Sequence, residues 1–490
     1  MKKKLLQYAL LLLPVFALAQ SNPSFHKDFT PEIRRVIQSF KLDDHTYVML
    51  TNIDNDNFEL VAIKDNMEVL WRSKFSGYAI GAGKFKGQIL AVAATGYSEK
   101  KGMFGPFVER RYVSGHYNGF LINVETGKLI VQKEIYNSPT EQQQYPSFFI
   151  TRDGSKFNLV IEQIDEKEAI TVFGKKQNVI SSLTIVGANE KLEAPTVSHI
   201  TPDGSFIALT YNNNADLFVF DVEPDNKNLK VSKYEAGKTQ SSGSILQEID
   251  LRSKPEIDYS GNFVANSPTD NDVVYCALTH SNPNNDHELT VGKFNFNNHS
   301  GQIVNEVFDK KHVRTIENNF VPFDKKLDKP IIGFDNEYLN VRYIEEYNGT
   351  LLVTLSEWSS DRLSAGTFGI GDLSIVINGY DLNLKQKLQQ VFPIHYGFYF
   401  PFFVAYHTDN NALYVVANTA THGLVPLYGQ LDLNTGKWLK MEKLDKGDFG
   451  KYDYAGYSVM WFKNGFIVPY TNLKNWVSIK MIIDLASYPY

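Results

Sequence analysis

The chain has 490 residues, with 49 Lys and Arg against 55 Asp and Glu and a net charge of −6 at neutral pH. That balance excludes a basic nucleic-acid surface, and a lone cysteine, Cys276, excludes an intrachain disulfide and a thiolate metal site. Phe and Tyr are abundant, at 33 and 27, which suits pleated, half-buried strands and points to an all-β class.

Residues 1–19 read as a signal peptide. Lys2, Lys3 and Lys4 precede an apolar stretch from Leu5 to Leu18 that Pro14 interrupts, and Ala17-Leu18-Ala19 offers the small-x-small pattern cut before Gln20. The stretch falls short of the roughly 20 apolar residues of a membrane span, so no transmembrane segment is expected. No Cys follows the cut, which leaves out a lipid anchor there. The mature chain is expected to be exported, periplasmic or secreted, and a monomer. Residues 20–32 would form an N-terminal extension and 33–490 one domain, carrying about −9 once three lysines leave with the leader.

A two-residue turn signal followed by a short apolar strand then recurs. It stands at Asp43-Asp44, Lys86-Gly87, Asp153-Gly154, Asp203-Gly204, Ser260-Gly261, Asn348-Gly349, Asn410-Asn411 and Asn464-Gly465. Asn-Gly and Asp-Gly favour tight hairpins because those turns need positive φ. The spacing averages about 60 residues, which a propeller blade with long loops reaches. Eight copies predict a single eight-bladed β-propeller, with seven blades as the alternative. A second turn signal closes the last hairpin of several units, from Lys64 to Trp71, Asn123 to Leu129, Asn298 to Ile303 and Asp432 to Trp438.

The runs Asn123-Val124-Glu125-Thr126-Gly127-Lys128-Leu129 and Asp432-Leu433-Asn434-Thr435-Gly436-Lys437-Trp438 resemble the repeat of the PQQ-type propellers, the quinoprotein-dehydrogenase-like superfold. The resemblance implies eight blades, and the superfold includes non-enzymatic members of outer-membrane assembly machinery. It extends to a repeat and not to a site. Quinoprotein enzymes carry two adjacent cysteines beside the cofactor, and Cys276 stands alone. No cofactor is expected. No recurring Gly-His and no Trp-Asp mark of WD40 repeats is present.

The last unit offers three strands, from Ser458 to Phe462, Phe466 to Tyr470 and Val477 to Asp484. The segment from Arg34 to Phe40 is therefore expected to pair as the outer strand of that blade and close the ring, removing an exposed edge. A short helix is the other reading of those residues.

In a four-stranded antiparallel blade, the first and third turns share one end. The second connection and the link to the next blade share the other. The long connections, residues 96–119, 238–255, 305–336, 356–372 and 418–427, all fall at that second end, where binding is expected. Candidate binding residues are Arg110, Arg111 and His116 among Tyr97, Phe104, Phe107 and Tyr112, then Trp358 and Arg362 beside Glu357 and Asp361, then His395 and His422. Arg beside aromatic rings can stack on a sugar or grip a peptide. The same residues also read as rings that pin each loop to the blades, surrounded by solvated charge.

No Gly-x-Ser-x-Gly elbow, His-Glu-x-x-His pair or phosphate-cradling loop is present. Asp54-Asn55-Asp56-Asn57-Phe58 opens like a calcium loop, but Phe58 takes a ligand position. The 11 histidines show no metal spacing, and no metal site is expected. Glu345 and Glu346 are adjacent in a strand and point to opposite faces, which argues against a shared substrate. Two functions lead, with a scaffold in envelope assembly, implied only by the superfold resemblance, as a third. One is a non-catalytic exported propeller that binds a protein or glycan partner in the cell envelope through its long-loop face. The other is a glycan hydrolase or lyase whose site is assembled from several blades.

Overall fold

The apolar strands that follow the turn signals show no alternation of polar and apolar residues, and the computed structural model gives the reason. Every residue of Thr46–Asn52 and of Leu217–Val222 is buried, because neighbouring sheets cover both faces of each sheet. The structure describes residues 26–28, 35–95, 100–101, 108–109, 116–137, 144–164, 179–193, 195–200, 205–223, 227–249, 264–281, 286–320, 338–358, 370–371, 374–394, 396–397, 404–419, 425–444, 452–454, 458–472 and 483–490.

Blade 1 runs outward through Arg35–Asp43, Thr46–Asn52, Asn57–Lys64 and Val69–Ser76. The inner strands of blades 2 to 7 are Tyr78–Phe85, Gln144–Ile150, Ser205–Tyr211, Val264–Asn266, Tyr338–Tyr347 and Val404–Asp409, and each is followed by three more strands. Blade 8 has a divided inner strand, Tyr452–Tyr454 and Met460–Phe462, then Gly465–Asn472 and Ile483–Pro489. Inner strands of neighbouring blades lie against one another, 1 on 2, 2 on 3, 4 on 5, 5 on 6 and 8 on 1. Outer strands alternate in exposure, as in Ser300–Phe308, and the exposed large hydrophobics Leu70, Leu129, Ile130, Val197, Leu246, Val307 and Leu439 all sit on them. The fold is an eight-bladed β-propeller.

An N-terminal strand does close the last blade, but it is not the expected one. His26–Asp28 pairs antiparallel with Asp484, Leu485 and Ala486 as the outer strand of blade 8. Of the segment expected there, Arg35 to Phe40 instead enters the inner strand of blade 1, which pairs with Thr46–Asn52, and Arg34 lies outside the described residues. Alternation alone does not say which sheet a strand joins. The seam between blades 8 and 1 is bonded through side chains: Ser39 Oγ donates to the Ser458 carbonyl at 2.8 Å and the Tyr47 hydroxyl to the Trp461 carbonyl at 2.7 Å.

Six of the eight turn signals fall between the first and second strands of a blade. Positive φ at Lys86 and Gly87, at Asn348 and Gly349, and at Asn410 and Asn411 explains why Asn and Gly recur there. The other two, Asp203-Gly204 and Ser260-Gly261, lie outside the described residues and precede inner strands, so they belong to joints between blades. The four second signals all stand between the third and fourth strands. There an Asx side chain orders the turn, as where Asn123 Oδ1 accepts from the Glu125 and Thr126 amides and Asp432 Oδ1 from those of Asn434 and Thr435.

Two expected long connections hold regular structure. Residues 238–255 contain Gly243–Glu248, the outer strand of blade 4, so 238–242 belong to the third turn at the opposite end from the one expected. Residues 305–336 contain the end of Ser300–Phe308 and then a helix, Lys310–Asn319, capped by Asp309, whose side chain accepts from the His312 amide at 2.6 Å.

Candidate binding site

The strand boundaries leave the two ends of the ring unlike each other. At one end the first and third turns are mostly short, such as 44–45, 86–87 and 433–436, the longest being 188–195 and 235–242. These turns hydrogen-bond from blade to blade. The Lys86 amide donates to the Gly154 carbonyl at 2.9 Å, the Arg152 amide to Asn213 Oδ1 at 2.9 Å, Asn212 Nδ2 to the Asn271 carbonyl at 2.8 Å, and Asn348 Nδ2 to Asn411 Oδ1 at 2.8 Å. At the other end lie the connections 96–115, 165–178, 249–263, 309–337, 359–374 and 444–459. Ile370–Gly371 pairs there with Tyr396–Gly397, which ties the 359–374 connection to the link 393–403 between blades 6 and 7. Lys100–Lys101 pairs with Val108–Glu109 inside the first of them.

Most candidate binding residues lie outside the described residues: Arg110, Arg111, Arg362, His395 and His422. Trp358 ends the strand Thr350–Trp358 opposite Tyr338, and its side chain is outside the description. His116 is described. It opens the third strand of blade 2 at the long-connection end and is exposed, with Nδ1 3.2 Å from Glu134 Oε2. It is thus a strand residue whose ring meets a carboxylate on the adjacent outer strand. The structure brings no two of the candidates into contact among the described side chains.

A different site emerges at the short-turn end, where the inner strands converge on the axis. The Tyr338–Tyr347 strand of blade 6 carries Glu345 and Glu346 just before its Asn348-Gly349 turn. Their side chains do diverge, as adjacent strand residues must. Glu346 is only 4 % exposed and its Oε2 accepts from the Tyr275 hydroxyl of blade 5 at 2.8 Å. Glu345 Oε2 accepts from the Tyr343 hydroxyl and, at 2.9 Å, from Thr408 Oγ1 of blade 7. Yet both glutamates line one cavity of about 350 Å³, whose wall also includes Arg152, Tyr211, Asn213 and Asn266. An inner strand faces the axis between two blades, so divergent side chains can border the same space. The pair diverges as expected, Glu346 toward blade 5 and Glu345 toward blade 7, while both residues border the one space.

Aromatic packing holds this wall. The Tyr343 and Tyr406 rings stack at 4.7 Å and 19°, and Thr354 Oγ1 donates to the Tyr406 hydroxyl at 3.0 Å. Burial pushes the Tyr343 and Tyr406 hydroxyls well up, as it does that of Tyr275, with Glu346 adding to the effect. All three phenols stay protonated and act as donors or acceptors only. On the opposite wall Tyr211 packs on Phe149 at 4.6 Å, and burial raises its hydroxyl too. Inner strands are bulged between Val36 and Gln38, Ala79 and Gly81, Phe206 and Ala208, and Val341 and Tyr343. The bulged residues are Ile37, Ile80, Ile207 and, in blade 6 alone, a charged one, Arg342, whose Nε donates to Ser356 Oγ at 2.7 Å. The concentration of charge in the Val341-Arg342-Tyr343-Ile344-Glu345-Glu346 run was the sequence signal for this site.

A wider and shallower depression of about 810 Å³ lies at the rim of the same end beside Lys86, Lys156, Lys191, Glu190 and Glu193. Two of these charges are occupied: Lys156 Nζ donates to the Asn214 carbonyl at 2.7 Å, and Glu193 pairs with Lys133 at 3.4 Å. Among the described residues no cluster of three His, Cys, Asp or Glu is placed to hold a metal, and no helix is long and apolar enough to cross a membrane.

No family model and no curated protein sequence matches the chain. Among solved structures it is similar to the WD40 domain of SCAP from fission yeast, at 9 % identity over 95 % of this chain and 98 % of that one, with a TM-score of 0.41. It is similar to an uncharacterized protein from Listeria monocytogenes at 9 % identity, covering 90 % and 89 % with a TM-score of 0.38. A third similarity is to prolyl oligopeptidase B from Galerina marginata, at 7 % identity over 89 % of this chain and 55 % of that one, with a TM-score of 0.42. No function carries over from likenesses this remote.

Proposed function

We propose that this protein is an exported propeller that acts by binding a protein or glycan partner of the cell envelope through its long-connection end. One observation supports the reading above the others: the short turns gather at one end of a rigid ring and the long connections at the other. Variable loops on a fixed scaffold are the usual carriers of recognition. The Lys2-Lys3-Lys4 leader with its Ala17-Leu18-Ala19 site supports export. Site-specific photo-crosslinking tests the reading. A photoreactive residue at position 116, at the long-connection end, should capture an envelope component that one at position 434, in a short turn, does not. Equal capture from both positions would sink it.

The rival reading is a glycan hydrolase or lyase, and one observation favours it: two carboxylates, Glu345 and Glu346, line a cavity walled by blades 3 to 6. Carboxylate pairs supply general acid and base in such chemistry. Turnover of any glycan that disappears in Glu346→Gln would move the function to this cavity.

A further inference from the structure

The cavity at the short-turn end has hydrogen-bonding capacity that the protein does not use. Glu346 is 4 % exposed, has a free Oε1, and has no basic partner among the described residues. Glu345 has no basic partner there either; both of its contacts are hydroxyls on Oε2. Across the cavity the blade 3 residue Arg152 uses its backbone amide to bond Asn213 Oδ1, and its guanidinium has no acidic partner among the described residues. Asn213, Asn266 and Tyr211, all half-buried, also line the space and offer carboxamide and hydroxyl groups to it. Two buried charges elsewhere among the described residues are matched. Glu59, 1 % exposed, holds Arg72 Nε at 2.5 Å, and Lys233 holds Asp272 at 2.5 Å and Asp216 at 3.3 Å.

A carboxylate kept out of water without a counter-charge is costly. A ligand that brings a cation to that wall offsets the cost and forms charge-assisted bonds as it does so. The arrangement is also two-sided, with carboxylates on blade 6 and a guanidinium on blade 3. A neutral sugar would use the carboxamides and leave both charges uncompensated. A zwitterion uses both. The volume, about 350 Å³, lies at the low end of small-molecule sites, which span about 300–1,000 Å³.

We infer that this cavity binds a small zwitterion of the amino-acid or dipeptide class, its cationic group at Glu345 and Glu346 and its carboxylate at Arg152. The site is at the opposite end of the ring from the proposed partner face and stands without it. Calorimetric titration of the mature chain with L-arginine, glycyl-L-arginine, L-argininamide and maltose tests the inference. L-Arginine or glycyl-L-arginine should bind, Glu346→Gln should weaken that binding at least about tenfold, and L-argininamide should bind about tenfold more weakly than L-arginine. In Arg152→Ala the difference between arginine and its amide should vanish, since the group that reads the carboxylate is gone. Arg152 is exposed, so this variant keeps its fold even where Glu346→Gln does not. Silence from all three cationic probes at about 10 mM would overturn the inference. Maltose binding that Glu346→Gln abolishes, with the charged probes silent, would overturn it in favour of the glycan reading.

Discussion

Tyr275 on the second strand of blade 5 donates its hydroxyl to Glu346 on the inner strand of blade 6 at 2.8 Å. Among the described residues this is the one hydrogen bond the Glu346 carboxylate receives, and it crosses a joint between blades. Tyr275→Phe removes a bond to a charged acceptor, worth about 1.5–3 kcal/mol. Denaturant titration should show a lower midpoint at unchanged slope. A variant as stable as the parent would contradict this account of the cavity wall.

Lys233 joins blades 4 and 5 through Asp272 at 2.5 Å and Asp216 at 3.3 Å. Burial alone would push its ammonium down, but the two carboxylates outweigh that and hold it above its ordinary value. Lys233→Met leaves two largely buried carboxylates without a counter-charge, and stability should fall by about 3–5 kcal/mol. Adding Asp272→Asn to that variant should restore part of the loss, because the two changes are coupled. A second loss on top of the first would refute the coupling.

His407 on the inner strand of blade 7 stacks on Trp461 of blade 8 at 5.2 Å and 14°. Burial pushes its imidazole down to about 4, with Asp409 opposing. The unfolded chain binds the proton from about pH 6.5 downward and the fold resists it until about pH 4. Stability should therefore fall as pH drops through that window, by up to roughly 3 kcal/mol, and level off below it. His407→Phe keeps a ring on Trp461 and should flatten this slope. An unchanged pH profile would show that His407 is not the group responsible.

Asn158 is 1 % exposed, and neither its Nδ2 nor its Oδ1 has a hydrogen-bond partner among the described residues. An unmet buried amide costs about 1–3 kcal/mol. Asn158→Leu, close in shape and without polar atoms, should raise the thermal midpoint. A lower midpoint would mean that a bound water meets the amide in solution.

Much of this architecture was legible because its turns need unusual backbone. Lys86-Gly87, Asn348-Gly349 and Asn410-Asn411 sit at positive φ, and few residue types tolerate that, so the turns stand out in the sequence. Asp203-Gly204 and Ser260-Gly261 carry the same residue types but precede inner strands, so residue type alone does not separate a hairpin from a joint between blades. Ring closure was half legible. The last blade visibly lacks a strand, but the one that completes it, His26–Asp28, is three residues long and too short to show any period. The cavity was passed over because Glu345 and Glu346 alternate in direction, and only the ring reveals that an inner strand has the axis before it and a blade on either side. Arg110, Arg111 and Trp358 rest on loop composition, which specifies an end of the ring and no geometry.

The most direct test of the loop-end account is a glycan and envelope-fraction binding screen of the mature protein against an Arg110→Ala, Arg111→Ala, Trp358→Ala variant. The account predicts a partner retained by the parent and lost by a variant with unchanged circular dichroism and thermal midpoint. Binding that survives intact in the variant would contradict it and take recognition away from that end of the propeller.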